Sequence, residues 1–171
     1  MSGRNSVIAW LGLGGNIGDP RAAMGEALRR LDEDDAVRVR AVSPLYRTPP
    51  WGKLDQPDFL NAVAAVETEL SPRALLELCL AVEAGLKRVR RERWGPRLID
   101  MDILLYGEDE VHEPGLDIPH PRMLDRAFVM VPLSDLAPEL VLQGKPVAEW
   151  AQATDRSGIE QVTDDGGWWA A

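Results

Sequence analysis

A single cysteine, Cys79, leaves this 171-residue chain no partner for an intramolecular disulfide and no means of building a Cys-rich metal site. That scarcity fits a reducing compartment, so a cytoplasmic location is expected. Long apolar runs are also missing: none approaches the ~20 residues that a membrane-spanning helix requires, and no membrane partner is expected. Positive charge is scarce, with 19 Lys and Arg against 28 Asp and Glu for a net charge of −9. With a pI near 4.7, general affinity for nucleic acid is not expected, because phosphate-backbone binding needs clustered cations and counterion release. Repeats, low-complexity stretches and long linkers are lacking too. A single domain over residues 1–171 follows, with a core at about 7–150 and a loosely held tail at 151–171.

What is present is enough for a stable core: 45% of residues are hydrophobic and 27% charged, and a chain of this length buries roughly two-thirds of its unfolded surface. The N-terminal "MSGRNSVIAWLGLGG" runs into glycines rather than a cleavage site, and Val7 to Leu13 reads as a first strand rather than a leader. Asp19 as N-cap and Pro20 at the first helical position start a helix with Met24, Ala27, Leu28 and Leu31 on one stripe. Val37 to Leu45 alternates as a half-buried strand, Phe59 to Leu70 is another β-tolerant run, and the long connection "YRTPPWGKLDQPD" between them suits a binding loop. Ser71 and Pro72 restart a helix with Leu75, Cys79, Val82, Leu86 and Val89 on its stripe, and Ile99 to Tyr106 makes a further strand. This order predicts an α+β protein: a ferredoxin-like sandwich with a βαββαβ core, a mainly antiparallel sheet and helices packed on one face.

The scarce positive charge is concentrated. Lys87, Arg88, Arg90, Arg91, Arg93 and Arg97 fall within eleven residues, directly before Asp100 and Asp102. On a strand, residues i and i+2 share a face about 7 Å apart, so the two carboxylates can converge on a hard cation while Ile99, Met101 and Ile103 pack the other side. A solvated strand face explains a bare D-x-D about as well. The neighbouring arginines favour a Mg²⁺-bound nucleotide triphosphate, since guanidinium forks grip phosphate and Mg²⁺ takes one or two carboxylates plus substrate phosphates. A helix C-terminus compensating its dipole accounts for Lys87 and Arg88 but poorly for Arg93 and Arg97.

Phe59 and Asn61 share a strand face, and a ring beside an amide suits a flat heterocycle with polar edges, although a core phenylalanine is the commoner use. Phe128 offers a second ring. His120 sits between two prolines and ahead of Arg126, Glu83 precedes Lys87 by one helical turn, and "GLGGNIG" departs from both the dinucleotide fingerprint and Walker A. A tight turn that leaves Asn16 facing a pocket is as good a reading of those glycines as a phosphate role.

Together "GGNIGD", "SPLYRTPPWGKLDQPDFLNAV", "RWGPRLIDMDILLYG" and "IPHPRMLDRAFVMVPLSDLAPEL" closely resemble the 6-hydroxymethyl-7,8-dihydropterin pyrophosphokinase family of folate biosynthesis over roughly residues 7 to 142. The resemblance implies transfer of a diphosphoryl group from ATP to the hydroxymethyl oxygen of a reduced pterin, releasing AMP. It implies two Mg²⁺ ions on Asp100 and Asp102. Glu83, Arg90, His120 and Arg126 match ATP-binding positions, and Arg88 and Arg97 match arginines acting on the phosphates. Phe59 and Phe128 would sandwich the pterin, Asn61 with the Thr48, Pro49 and Pro50 segment would read its edge, and Trp94 lies on a closing loop. The implied partners are these small molecules alone, and a monomer is expected. The chain departs from the family in having Gly15 where serine is usual and Leu98 where threonine is usual. A palm-type nucleotidyl transferase and a non-enzymatic RNA-binding module are the rival readings.

Overall fold

The computed structural model describes residues 6–49, 57–90 and 99–170, with side chains described up to residue 86 in the second helix. The central strand is β1 (Val7–Gly15), followed by helix α1 (Pro20–Glu33) and strands β2 (Val37–Val42), β3 (Tyr46–Thr48) and β4 (Phe59–Thr68). Helix α2 (Pro72–Arg90) and strand β5 (Asp100–Tyr106) complete the core. β1 pairs with β4 on one side and β5 on the other, and β2 and β3 pair in succession along the outer edge of β4. Every one of these pairings is antiparallel, and with β2 and β3 taken as one interrupted strand the βαββαβ order expected from the sequence is realised.

Local chemistry explains the boundaries. The Asp19 carboxylate accepts a hydrogen bond from Ala22 N at 3.1 Å, and Pro20 gives up no needed donor at the first helical position. The stretch expected as one strand from Val37 to Leu45 divides at Ser43–Pro44 into β2 and β3. Pro44 has no N–H to offer the ladder, and the Ser43 hydroxyl instead accepts from Val63 N at 3.0 Å. Helices α1 and α2 cover one face through Met24, Ala27, Leu28, Leu31, Leu75 and Cys79, packed on Ala9, Leu11 and Leu13 of β1. Each fully buried leucine there contributes about 2 kcal/mol by transfer from water.

The opposite face is not left to solvent. A hairpin of β6 (Val111–Glu113) and β7 (Leu116–Ile118) leads to helix α3 (Ala127–Leu136), the short hairpin of β8 (Val141–Leu142) and β9 (Lys145–Pro146), and helix α4 (Val147–Ala153). Val129, Met130 and Leu133 of α3 pack on Val63 and Leu104. Helices therefore cover both faces, and β4 is buried continuously from Asn61 to Val66 rather than alternating.

The tail is not loose. Strand β10 (Glu160–Gln161) adds to β3, and the last turn buries Trp168, whose indole Nε1 donates to Ser43 O at 2.8 Å. Among the described residues no helix is long and apolar enough to cross a membrane. Cys79 faces α1 and the sheet, and burial, with the charges of Glu83 and Asp102 adding to it, pushes its thiol up to about 12. Iodoacetamide at about pH 8 is therefore expected to leave Cys79 unmodified in the native protein and to label it once urea unfolds the chain. Labelling of the native protein at the unfolded rate, followed by mass spectrometry, would contradict this burial.

Candidate active site

The site begins with two missing side chains. On β1, Ala9, Leu11 and Leu13 point to the α1/α2 core, which leaves Trp10, Gly12 and Gly14 on the other face. Gly12 pairs with Asp102 and Gly14 with Asp100 on β5, while Gly14 also pairs with Asn61 on β4. A Cβ at Gly14 would lie 2.8 Å from Asn61 Oδ1, and one at Gly12 would lie 3.4 Å from a methyl of Leu104. The two glycines thus form a bare floor, with an amide on one flank and two carboxylates on the other. They lie within the strand and not in a turn; the turn glycine of this segment is Gly18, with φ +64°.

Over this floor opens a cavity of about 680 Å³. Thr48, Phe59 and Asn61 line one end, Asp100 and Asp102 the other, and the segment from His120 to Val129 forms the roof with His120, Arg122, Asp125, Arg126 and Phe128. Thr48 is fixed against Asn61, whose Nδ2 donates to Thr48 Oγ1 at 3.0 Å. Asn16 is buried and its Nδ2 donates to Pro57 O at 3.4 Å, tying the end of β1 to the residues that lead into Phe59. The guanidinium of Arg126 lies 5.5 Å from the centre of the Phe128 ring, which turns that ring's face toward a cation.

His120 is hooked to β5 by its own amide, which donates to Leu104 O at 2.9 Å. Its Nδ1 accepts from Arg122 N at 3.2 Å, so the neutral ring carries its proton on Nε2. Burial holds its pKa below the usual histidine value; Asp102 pulls upward, the charges of Arg126 and Arg122 pull down, and Asp117 pulls weakly upward. A neutral Nε2–H donor is the form present near neutrality. A second cavity of about 220 Å³, walled by Leu76, Ile103, Leu116 and Pro121, shares Asp102 and His120 with the first. Those two residues stand where the cavities meet.

Glu83 lies elsewhere. It is buried on α2, and its Oε2 accepts from Met101 N at 2.7 Å, which fastens β5 at the residue between the two aspartates. It lines neither cavity. Arg88 and Arg90 fall where only the backbone is described, and Pro50, Trp94, Arg97 and Leu98 lie outside the described residues. The fold thus brings Thr48, Phe59, Asn61, Asp100, Asp102, His120, Arg126 and Phe128 around one space. It adds Arg122 and Asp125, which the sequence does not single out, and Gly12 and Gly14, which it offers only within the glycine-rich "GLGGNIG". The glycines were findable, since a period of two along "GLGG" puts both on one face; the loop residues carry no comparable signal.

Among the described residues no group of three or more His, Cys, Asp and Glu side chains is placed to hold a metal ion. A half-buried Asp100 and an exposed Asp102 beside a bare floor fit a cation that brings other ligands with it, as Mg²⁺ does when it travels on phosphates.

The family model described as 7,8-dihydro-6-hydroxymethylpterin-pyrophosphokinase (HPPK) matches residues 10–138. The 2-amino-4-hydroxy-6-hydroxymethyldihydropteridine pyrophosphokinase of Methylorubrum extorquens is 51% identical over 154 residues, 90% of this chain and 98% of that protein. The enzyme of the same name from Pseudomonas aeruginosa is 45% identical over 90% of this chain and 95% of its own length. In fold the chain is similar to wild-type Plasmodium falciparum HPPK-DHPS with SDX-DHP, at a TM-score of 0.70 and 16% identity over 89% of this chain. It spans 45% of that longer chain.

Proposed function

The chain belongs to the 7,8-dihydro-6-hydroxymethylpterin-pyrophosphokinase family, and from that premise we propose how its cavities divide the work of the reaction. It transfers a diphosphoryl group from ATP to the hydroxymethyl group of 6-hydroxymethyl-7,8-dihydropterin, giving AMP and the pterin diphosphate, a step of folate biosynthesis. The observation that carries the assignment is the glycine floor, flanked by Asn61 on one side and Asp100 and Asp102 on the other. A flat ring fits over bare backbone, and a phosphate chain fits where the carboxylates and the roof arginines face each other.

At the pterin end, Phe59 and Phe128 supply apolar faces, and Asn61 donates and accepts along the heterocycle's edge beside Thr48, with Pro49 and Pro50 assigned to reading that same edge. The ATP phosphates lie between the β5 aspartates and Arg126, with the neutral His120 donating from Nε2. The smaller cavity takes the base, because Leu76, Ile103, Leu116 and Pro121 give it apolar contacts and Asp117 a polar edge, next to the Asp102 and His120 it shares with the larger one. Asp100 and Asp102 would hold two Mg²⁺ ions. When bound, Mg²⁺ neutralises phosphate charge and lowers the pKa of a bound hydroxyl. Arg88 and Arg97 are assigned to the phosphates, Arg90 to ATP and Trp94 to the loop that closes over the pterin. Glu83 acts through Met101, holding β5 so that both carboxylates face the cavity.

The hydroxymethyl oxygen attacks the β-phosphorus, the bond to the α–β bridging oxygen breaks, and AMP leaves with that oxygen. For such a transfer, alignment and charge neutralisation outweigh proton chemistry. The rival RNA-binding reading needs an open aromatic sheet face, and here α3 lies over β4 and Leu104. Product analysis with ATP, Mg²⁺ and hydroxymethyldihydropterin is expected to show AMP in step with pterin diphosphate. ADP, or nucleotide turnover that ignores the pterin, would sink the assignment.

A further inference from the structure

Strand β3 brings Thr48 to the cavity, and it is only three residues long. A short edge strand with one row of backbone groups facing water frays readily. On its inner side the register Tyr46↔Asn61 and Thr48↔Phe59 joins it to β4. On its outer side the C-terminal segment closes it. Glu160 and Gln161 pair with Arg47 and Tyr46, Val162 N donates to Leu45 O at 2.7 Å, and Leu45 N donates to Thr163 Oγ1 at 3.0 Å. Glu160 Oε1 adds an ion pair with Arg47 Nη1 at 2.9 Å.

The segment also reaches one residue past the strand. Gly158 adopts φ +79°, and a Cβ there would stand 3.0 Å from Pro49 Cγ, so its lack of a side chain is what lets the tail lie against Pro49. The far end is anchored separately. Trp168 is buried on Ser43 O, Arg29 Nη1 donates to Trp169 O at 2.6 Å, and a Cβ on Gly166 would fall 1.8 Å from Val42 O. A strap secured in this way on α1 and at the end of β2 can hold β3 against displacement.

We infer that residues 158–169 position the substrate-reading edge: Gly158 acts through Pro49 and Thr163 acts through Leu45 to set where Thr48 stands beside Asn61. Neither residue lines a cavity, so both are positioning residues. The inference rests on the assignment of the pterin to the Thr48–Asn61 end. A displacement of about 1 Å at a substrate-orienting group can cost as much as 100-fold, so small changes in the strap register in pterin handling.

The test uses full-length Gly158→Ala and Thr163→Val with steady-state kinetics in which each substrate is varied in turn. Gly158→Ala is expected to raise the pterin KM about tenfold and Thr163→Val about threefold, with the ATP KM within about twofold of wild type and wild-type circular dichroism. Thr163→Val keeps side-chain shape and is scored independently, in case the strained position 158 prevents folding. A folded variant with unchanged pterin KM overturns the inference. So does an equal rise of both KM values with a lowered Tm, the mark of a merely structural contact. If the wild-type enzyme makes no AMP with hydroxymethyldihydropterin, the site assignment fails and the inference falls with it, a result distinct from an active wild type with insensitive variants.

Discussion

Asp102→Asn is expected to reduce AMP formation by about 1,000-fold or more while leaving Tm within a few degrees of wild type. Asp102 is exposed on β5, and its neighbours Met101 and Ile103, both buried, do the packing for that stretch of strand. Asparagine keeps the size and one acceptor oxygen and removes the charge. Asp100 and Asp102 share one face about 7 Å apart, and with the packing of the strand left to Met101 and Ile103 the fold is expected to tolerate the loss of one charge. A structural role predicts a marked fall in Tm instead. In turnover the effect is large because Asp102 stands where the two cavities meet, one of only two carboxylates on β5 facing the floor, and the phosphates of ATP have to be held in line there. Glu83→Gln supplies the contrast. Its amide oxygen can still accept from Met101 N, so activity is expected to fall far less, about tenfold. Rapid-quench assays of AMP with thermal unfolding on the same samples decide the matter, and an Asp102→Asn enzyme with near-wild-type turnover would remove Asp102 from the machinery.

Much of this site was legible wherever the signal is local. A period of two put Asp100 with Asp102 and Phe59 with Asn61, and the fold keeps each pair on one face. Asp19–Pro20 and Ser71–Pro72 marked helix starts because capping is decided within four residues. What was not legible depends on distant partners. Gly14 looks like a turn residue and Gly12 like a gap in the first strand until β4 and β5 are known to flank them, and only then does the missing Cβ become a floor. The Ser43–Pro44 break depends on Val63, and the burial of Trp168 on a carbonyl 125 residues away. Composition made the tail look solvated, whereas tertiary pairing with β3 made it part of the sheet. Arg122 and Asp125 reach the cavity because the segment after β7 hooks back onto Leu104, a contact with no sequence period.

The floor itself yields the second large effect: Gly14→Val is expected to weaken pterin binding about 100-fold with ATP affinity nearly unchanged. A Cβ at position 14 would come within 2.8 Å of Asn61 Oδ1, closer than real Cβ contacts allow, and 3.4 Å from Leu60 O. The backbone cannot yield at the centre of a six-stranded sheet, so the Asn61 amide swings away and gives up its bond to Thr48 Oγ1. The valine methyls then fill the space over which the ring lies. Stability works in the other direction. A β-branched residue suits a central strand and restricts the unfolded chain, which offsets the crowding to within about 1 kcal/mol. Gly12→Ala separates position from bulk. Its Cβ would meet the Leu104 side chain first, at 3.4 Å, and position 12 pairs with Asp102 rather than Asn61. It is expected to raise the ATP KM more than the pterin KM, the reverse of Gly14→Val. Calorimetric titration of each variant with each ligand reads both selectivities, and Gly14→Val with wild-type pterin affinity would mean that the heterocycle does not lie over β1. The opposed preferences follow from one strand whose two bare positions would crowd different side chains, the Asn61 amide at Gly14 and Leu104 at Gly12.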